Sequence, residues 1–141
     1  MANVIPYSFR GELFTGTHNF ASGGDAFKLA LYTASPYTTA STVYSATSEV
    51  SASGTAYTTT GNTLTGNAVA YGTAVATCDF ADTEWTSATF TAAFGAIYND
   101  DQSDKLCVVL DFGGNKTCTN GTFKITFPDP STPANAIISM S

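Results

Sequence analysis

Residues 88–113, ATFTAAFGAIYNDDQSDKLCVVLDFG, join two apolar runs through an acidic tip, and their reading decides the fold. Thr89 to Tyr98 carries no charge, and Leu106 to Leu110 is apolar at every position. Between them stand Asn, Asp and Ser, the residues that turns prefer. Strict alternation puts Phe90, Ala92, Phe94, Ala96 and Tyr98 on one face, opposite Thr89, Thr91, Ala93, Gly95 and Ile97. On the second strand Leu106, Val108, Leu110 and Phe112 share a face, with Cys107 and Val109 behind them. Burying about six such large side chains at roughly 1.5–3 kcal/mol each gives an upper bound of ~10–18 kcal/mol, enough for a sandwich core. The opposite face is small and apolar rather than charged. Either the N-terminal segment covers it or another protein chain does, and the chain's scarcity of charge favours the second.

Outward from the hairpin, the same period recurs. DAFKLALYT (25–33) sets Phe27, Leu29 and Leu31 against Lys28, Ala30 and Tyr32, a half-buried strand broken by Pro36. NAVAYGTAVATCDF (67–80) reads as one strand bulged at Gly72, and DTEW (82–85) as a turn into the hairpin. Gly113 and Gly114 end the second hairpin strand, GTFKITF (121–127) alternates again, and NAIISM (135–140) closes as a last strand after a loop marked by Pro128, Pro130 and Pro133. Residues 37–66 are rich in Ser, Thr, Ala and Gly, with Tyr44, Val50, Tyr57 and Leu64 as anchors, and read as one or two weak strands around a long loop. In SFRGELF (8–14), Ser8 is placed to cap a short helix with Phe9 and Leu13 on one face, ended at Gly16; an extended arm is the other reading. Seven or eight short strands and hardly any helix predict an all-β antiparallel β-sandwich or jelly roll. The whole of 1–141 is one domain on this reading, with 1–24 as arm or short helix and 25–141 as sandwich.

Composition narrows the function. Charged residues are 11% of the chain, against roughly 25% in an ordinary soluble domain. Disorder does not explain the deficit, because 43% is hydrophobic and 13% aromatic. Net charge is −6, and Arg10, Lys28, Lys105, Lys116 and Lys124 are scattered singly. A nucleic-acid groove needs clustered bases, so no nucleic-acid partner is expected, and an acidic membrane surface would repel the chain. MANVIPYSFRGELF lacks the basic start and apolar core of a secretory signal, and no stretch reaches the ~20 apolar residues of a membrane span. Cys78, Cys107 and Cys118 are odd in number and widely spaced, so reduced buried thiols are expected rather than a disulfide or zinc framework.

Catalytic motifs are scarce. His18, the single histidine, has no nucleophile motif beside it and reads as a loop hydrogen-bonding residue. The Asn99–Asp104 tip holds three acids that could present oxygens to Ca²⁺, but it lacks the spaced calcium-loop pattern and reads as a solvated turn. Asp79, Asp82 and Glu84 do not converge by spacing, and Gly23-Gly24 and Gly113-Gly114 lack the phosphate-loop pattern. Trp85 is read as a buried core residue. Neither a cofactor nor an enzymatic activity is expected. An alternative is carbohydrate binding by an exposed Trp85 with Asp82 and Asn99 nearby.

Several stretches together carry a resemblance: SFRGELFTGTHNF (8–20), DAFKLALYT (25–33), residues 54–64, DFADTEWTSATFTA (79–92), IYND (97–100), KLCVVLDFGGNKT (105–117) and NGTFKITFP (120–128). In this order they resemble a group of small virion structural proteins of tailed bacteriophages, some of them similar to head decoration, or cement, proteins. The resemblance implies a chain made in the host bacterial cytoplasm and located on the capsid surface. Its implied partners are the major capsid protein and copies of itself in a homo-oligomer. Many relatives carry an arginine where this chain has Ala93. The alternative of carbohydrate binding would correspond to a tail or baseplate component. An exposed sheet edge or the N-terminal arm is expected to add to a capsid strand, with Tyr7, Phe9, Arg10, Leu13 and Phe14 as candidate contacts.

Overall fold

The computed structural model describes residues 3–129, 131–132 and 135–140; Pro130 and Pro133 lie outside the described residues. Among these, one short helix and seven strands form two antiparallel sheets that share one core, an all-β sandwich. The helix α1 is Tyr7–Phe14, and the strands are β1 Phe27–Tyr32, β2 Asn62–Thr63, β3 Ala68–Tyr71, β4 Ala76–Asp79, β5 Thr83–Asn99, β6 Lys105–Ile125 and β7 Ile138–Met140. The first sheet runs β2-β1-β5-β6 and the second β3-β4-β7.

The quoted hairpin is the spine of the first sheet. A single 3-10 turn at Asp100–Gln102 followed by Ser103 and Asp104, both in the left-handed region, reverses the chain. DTEW is not a turn but the start of β5, and Gly113-Gly114 do not end β6. Instead Ala92 pairs with Lys116 and Phe94 with Asp111, so residues 112–115 form a bulge opposite Ala93, with Phe112 still packed against the core. Gly113 and Gly114 have φ of 73° and 128°, which suits glycine and lets β6 continue beyond the bulge.

These irregularities overturn the alternation assigned above. Phe90 and Ala92 face the main core together with Ile97, whereas Phe94, Ala96 and Tyr98 face the other side. A second slip at Cys107 places Leu106 and Val109 with Tyr98, and Cys107 and Val108 with Ile97. One unpaired residue is enough to exchange every later side chain between faces.

The strand β1 is central rather than half-buried. It pairs with β2 on one side and with β5 on the other, with Leu29 opposite Ile97. Phe27, Leu29 and Leu31 enter the main core, while Ala30 and Tyr32 are buried on the opposite face. Residues 67–80 form a hairpin, not one bulged strand: Gly72 N–H bonds to Val75 O at 2.7 Å, and β3 returns as β4. Between the sheets, Phe20 stacks on Phe27 with centroids 4.4 Å apart, and Phe80 meets both rings edge-on. Trp85 stacks on Tyr57 at 5.7 Å, beside Phe90 and Phe123.

The chain covers its own second face, contrary to the expectation of a partner there. Val4 pairs with Val109, and Val43 pairs with Lys105. Tyr37 and Tyr44 lie over Tyr32, Tyr98 and Leu106. Glu49 is the clasp for this largely irregular cover. Tyr44 and Tyr57 donate hydroxyl hydrogens to its two oxygens at 2.5 and 2.8 Å, and the Thr60 N–H donates to it at 2.8 Å. Tyr98 donates to Thr60 O at 2.6 Å, and Tyr32 donates to Ser45 O at 2.9 Å. Backbone groups that no sheet ladder serves are thus satisfied by tyrosines and one carboxylate.

Candidate interaction surface

The helix α1 begins one residue before the expected cap. Pro6, extended at φ −60°, is its N-cap, and Ser8 lies inside the helix with its hydroxyl on Ser41 O at 3.3 Å. Gly16, at φ 68°, closes the C-terminal end by donating to Leu13 O. Phe9 and Leu13 do share the inner face. Of the five residues expected at a partner surface, Phe9 is a correction: it is buried against His18 and Phe20 and anchors the helix in the core. Leu13 is half-buried, and Tyr7, Arg10 and Phe14 are exposed.

A polar lock holds the helix to the hairpin base. Glu12 receives Lys105 Nζ at 2.9 Å and His18 Nε2 at 2.7 Å. Asn99, fully buried, donates from Nδ2 to His18 Nδ1 at 2.9 Å and to Asp25 Oδ2 at 2.8 Å. Burial acts to raise the pKa of Glu12, but the hydrogen bonds from Lys105 and His18 outweigh it and hold the carboxyl below its ordinary value. For Asp25 burial is likewise outweighed, here by Asn99 and the Asn19 N–H.

Cys107 Sγ lies 4.0 Å from His18 Nδ1, so Glu12, His18 and Cys107 have the outline of an acid, a base and a nucleophile. Two facts oppose that reading. Cys107 is wholly enclosed, and burial pushes its thiol pKa well above the ordinary value. The Nδ1 lone pair that would take the thiol proton is already occupied by Asn99. His18 is therefore a hydrogen-bonding residue of a loop, as read from sequence, and it is buried at the centre of the lock.

The other candidates are dispersed. Trp85 is 3% exposed and Asn99 fully buried, and they sit toward opposite ends of β5. Asp82 holds Lys124 at 3.0 Å and accepts the Phe127 N–H at 3.0 Å. The sugar platform of Trp85, Asp82 and Asn99 is thus not assembled. In the acidic tip, Asp100 pairs with Lys28 at 3.0 Å, and Asp101 accepts the Ala26 N–H at 2.7 Å. Among the described residues no three His, Cys, Asp or Glu side chains are grouped to hold a metal. All three cysteines are free thiols, Cys78 and Cys107 buried and Cys118 half-buried. Burial, with the Asp79 charge beside it, pushes the Cys78 thiol up to about 12.

What the structure does gather is an apolar surface around α1. Register places Tyr71, Ala76 and Met140 in one row across the second sheet, and Val69, Cys78 and Ile138 in the next. Side chains in register share a face, here the face toward α1. Cys78 and Ile138 are buried under the helix, but the outer row is not covered: Tyr71 is 84% exposed and Met140 55%. Phe14 at 90% and Tyr7 at 62% extend the surface on the helix itself. A cleft of about 120 Å³ separates Leu13 from Val69 and Ala76. A wider one of about 500 Å³ opens beside it, lined by Ile5, Arg10, Leu13, Phe14, Ser139 and Met140. Sequence reading missed Val69, Tyr71 and Met140; the alternation of Val69 with Tyr71 was present, but only the hairpin turn at Gly72 reveals where it faces.

Comparison with family models, with curated proteins and with solved structures finds no match. Ala93 lies buried opposite the β6 bulge, on neither wall of the clefts. No helix among the described residues is long and apolar enough to cross a membrane.

Proposed function

We propose that this chain is a structural protein of a tailed-bacteriophage virion, a decoration or cement protein that docks on the assembled head through the α1 and β7 face. The observation that carries the reading is the cluster of exposed Phe14, Tyr71, Val69 and Met140 around one helix on a chain that is only 11% charged. Single exposed apolar residues are ordinary, whereas several around paired clefts mark association sites. The resemblance of residues 8–128 to small virion proteins supports the same reading. Its partners are then the major capsid protein and, on a symmetric lattice, further copies of itself. The location is the capsid surface.

The surface suits such a task physically. Docking through apolar contact needs no cofactor and tolerates high ionic strength, because little of its energy is Coulombic. The lock of Glu12, His18, Asn99 and Lys105 keeps α1 fixed before docking, so little ordering entropy is lost at the contact.

Cosedimentation with purified heads that lack this protein tests the reading. Stoichiometric binding is expected, with the heads surviving to a higher temperature once decorated. Phe14→Ser combined with Met140→Ser should weaken binding by about tenfold or more, with the unfolding midpoint of the free protein nearly unchanged. If purified shells ignore the folded protein, the reading fails.

A further inference from the structure

The strand β7 is an edge strand of the second sheet, and among the described residues only β4 pairs with it. Its outer edge borders the wider cleft. Ser139 lies out of phase with Ile138 and Met140, so its side chain points away from α1, yet it lines the cleft with Leu13 and Phe14. Its place in the lining puts the strand itself at the cleft wall. One wall is therefore a strand edge that no other described strand pairs, and the other an apolar helix face.

That combination selects an occupant. A strand edge presents N–H and C=O groups that another extended backbone satisfies in register. A lipid or a small apolar ligand would fill the volume and leave the edge bare. Arg10 adds a charge preference. Its guanidinium donates to Ile5 O at 3.3 Å and sits 5.3 Å from the Tyr7 ring centroid, and no carboxylate pairs with it among the described residues. Lys28, Lys105 and Lys124, by contrast, each hold one.

We propose that this cleft takes an extended segment of a partner protein, added as a strand to β7, with an apolar side chain between Leu13, Phe14 and Met140 and a carboxylate on Arg10. A second copy docking through the same face does not supply that carboxylate. The only acid on α1 is Glu12, and His18 and Lys105 already occupy it. The inference rests on reading the α1 and β7 face as the docking surface, and it adds the mode of recognition.

The test is a titration of ¹⁵N-labelled full-length protein with a set of eight-residue peptides. They alternate Val and Thr, with one Asp moved through each position. Amide shifts are expected at Ile138, Ser139, Met140 and along α1, saturating for the peptide whose Asp reaches Arg10. N-methylating the backbone of that peptide should abolish binding. Replacing its Asp by Lys, or making Arg10→Glu, should each weaken binding by about fivefold, and the two changes together should restore it. Shifts mapping elsewhere, binding indifferent to N-methylation, or no member of the set binding at millimolar concentration would overturn the proposal. So would a concentration-dependent dimer at sedimentation equilibrium that Met140→Glu abolishes, since the cleft would then belong to a second copy. Peptide binding without shell binding would leave strand addition standing and remove the capsid. Shell binding with peptide failure would do the reverse.

Discussion

The side-chain amide of Asn99 donates one hydrogen to His18 Nδ1 at 2.9 Å and the other to Asp25 Oδ2 at 2.8 Å. His18 therefore carries its ring proton on Nε2, directed at Glu12 2.7 Å away. Asn99 on Nδ1 and Glu12 on Nε2 thus suit the same tautomer of the chain's single histidine, and together they join α1, the 18–25 loop and the end of β5.

Asn99→Leu keeps approximate size but removes both donors. His18 Nδ1 and the Asp25 carboxylate then lose partners inside the protein, and a destabilisation of about 2–4 kcal/mol is expected. Urea unfolding of the two proteins measures it; an unchanged midpoint would remove Asn99 from the lock.

The acid side of the stability profile should depend on Glu12. Its folded pKa lies below its ordinary value of 4.5. The folded state therefore binds fewer protons than the unfolded chain as pH falls through and below 4.5. The stabilisation is fully present above that pH and is lost as pH falls through the depressed folded value. Glu12→Gln should flatten the fall in urea midpoint between neutral pH and the acid range; an unchanged profile would remove Glu12 from the lock.

Asp104 has the opposite sign. Burial first, then repulsion from Asp100, raises its pKa above the ordinary 3.8, so its charge opposes folding at neutral pH. Asn also accepts the left-handed backbone that Asp104 adopts at φ 57°. Asp104→Asn is expected to stabilise the protein at pH 7 by less than about 1 kcal/mol. The difference from the parent should vanish as pH falls through the region of 3.8, which thermal unfolding in acidic buffers would show.

Removing the clasp at Glu49 should detach the cover from the second sheet face. Glu49→Ala leaves Tyr44, Tyr57 and the Thr60 N–H without their acceptor, at a cost of about 3–5 kcal/mol. Hydrogen exchange should quicken over residues 37–61 well before it does in β5. Uniform protection would show that the aromatic packing alone retains the cover.

Gly61 tests how closely that cover approaches β1. Its φ is +84°, and an added Cβ would stand 2.0 Å from the Leu29 carbonyl oxygen. Since that neighbour is backbone in a central strand, Gly61→Ala should cost more than about 2 kcal/mol or prevent folding. A neutral effect on the unfolding midpoint would contradict this geometry.

Local pattern carried much of the fold. The runs around 27–32, 83–99 and 105–125 alternate or are rich in β-branched and aromatic residues, and each became a strand. Phe9 and Leu13 share a helix face because their spacing is close to one helical turn. The β3-β4 turn escaped notice because residues 72–75, Gly-Thr-Ala-Val, contain only one of the usual turn residues. The lock was invisible for a different reason: Glu12 and Lys105 are 93 residues apart, and nothing in local spacing brings them together.

The amino-acid sequence by itself determined that this chain folds as β structure with little charge, because alternation and turn chemistry act within a few residues of each other. Tertiary structure decided which face each side chain meets. The bulges at Ala93 and Cys107 shift the phase of a period-two strand, and their position depends on hydrogen bonds to the partner strand. It decided also that the second face is closed by Val4 and residues 37–50 while the end of the β3-β4-β7 sheet stays open beside α1. That outcome turns on where a largely irregular segment meets the sheet: Tyr32 and Tyr98 donate to its Ser45 and Thr60 carbonyls, and no local pattern in 37–61 specifies those contacts.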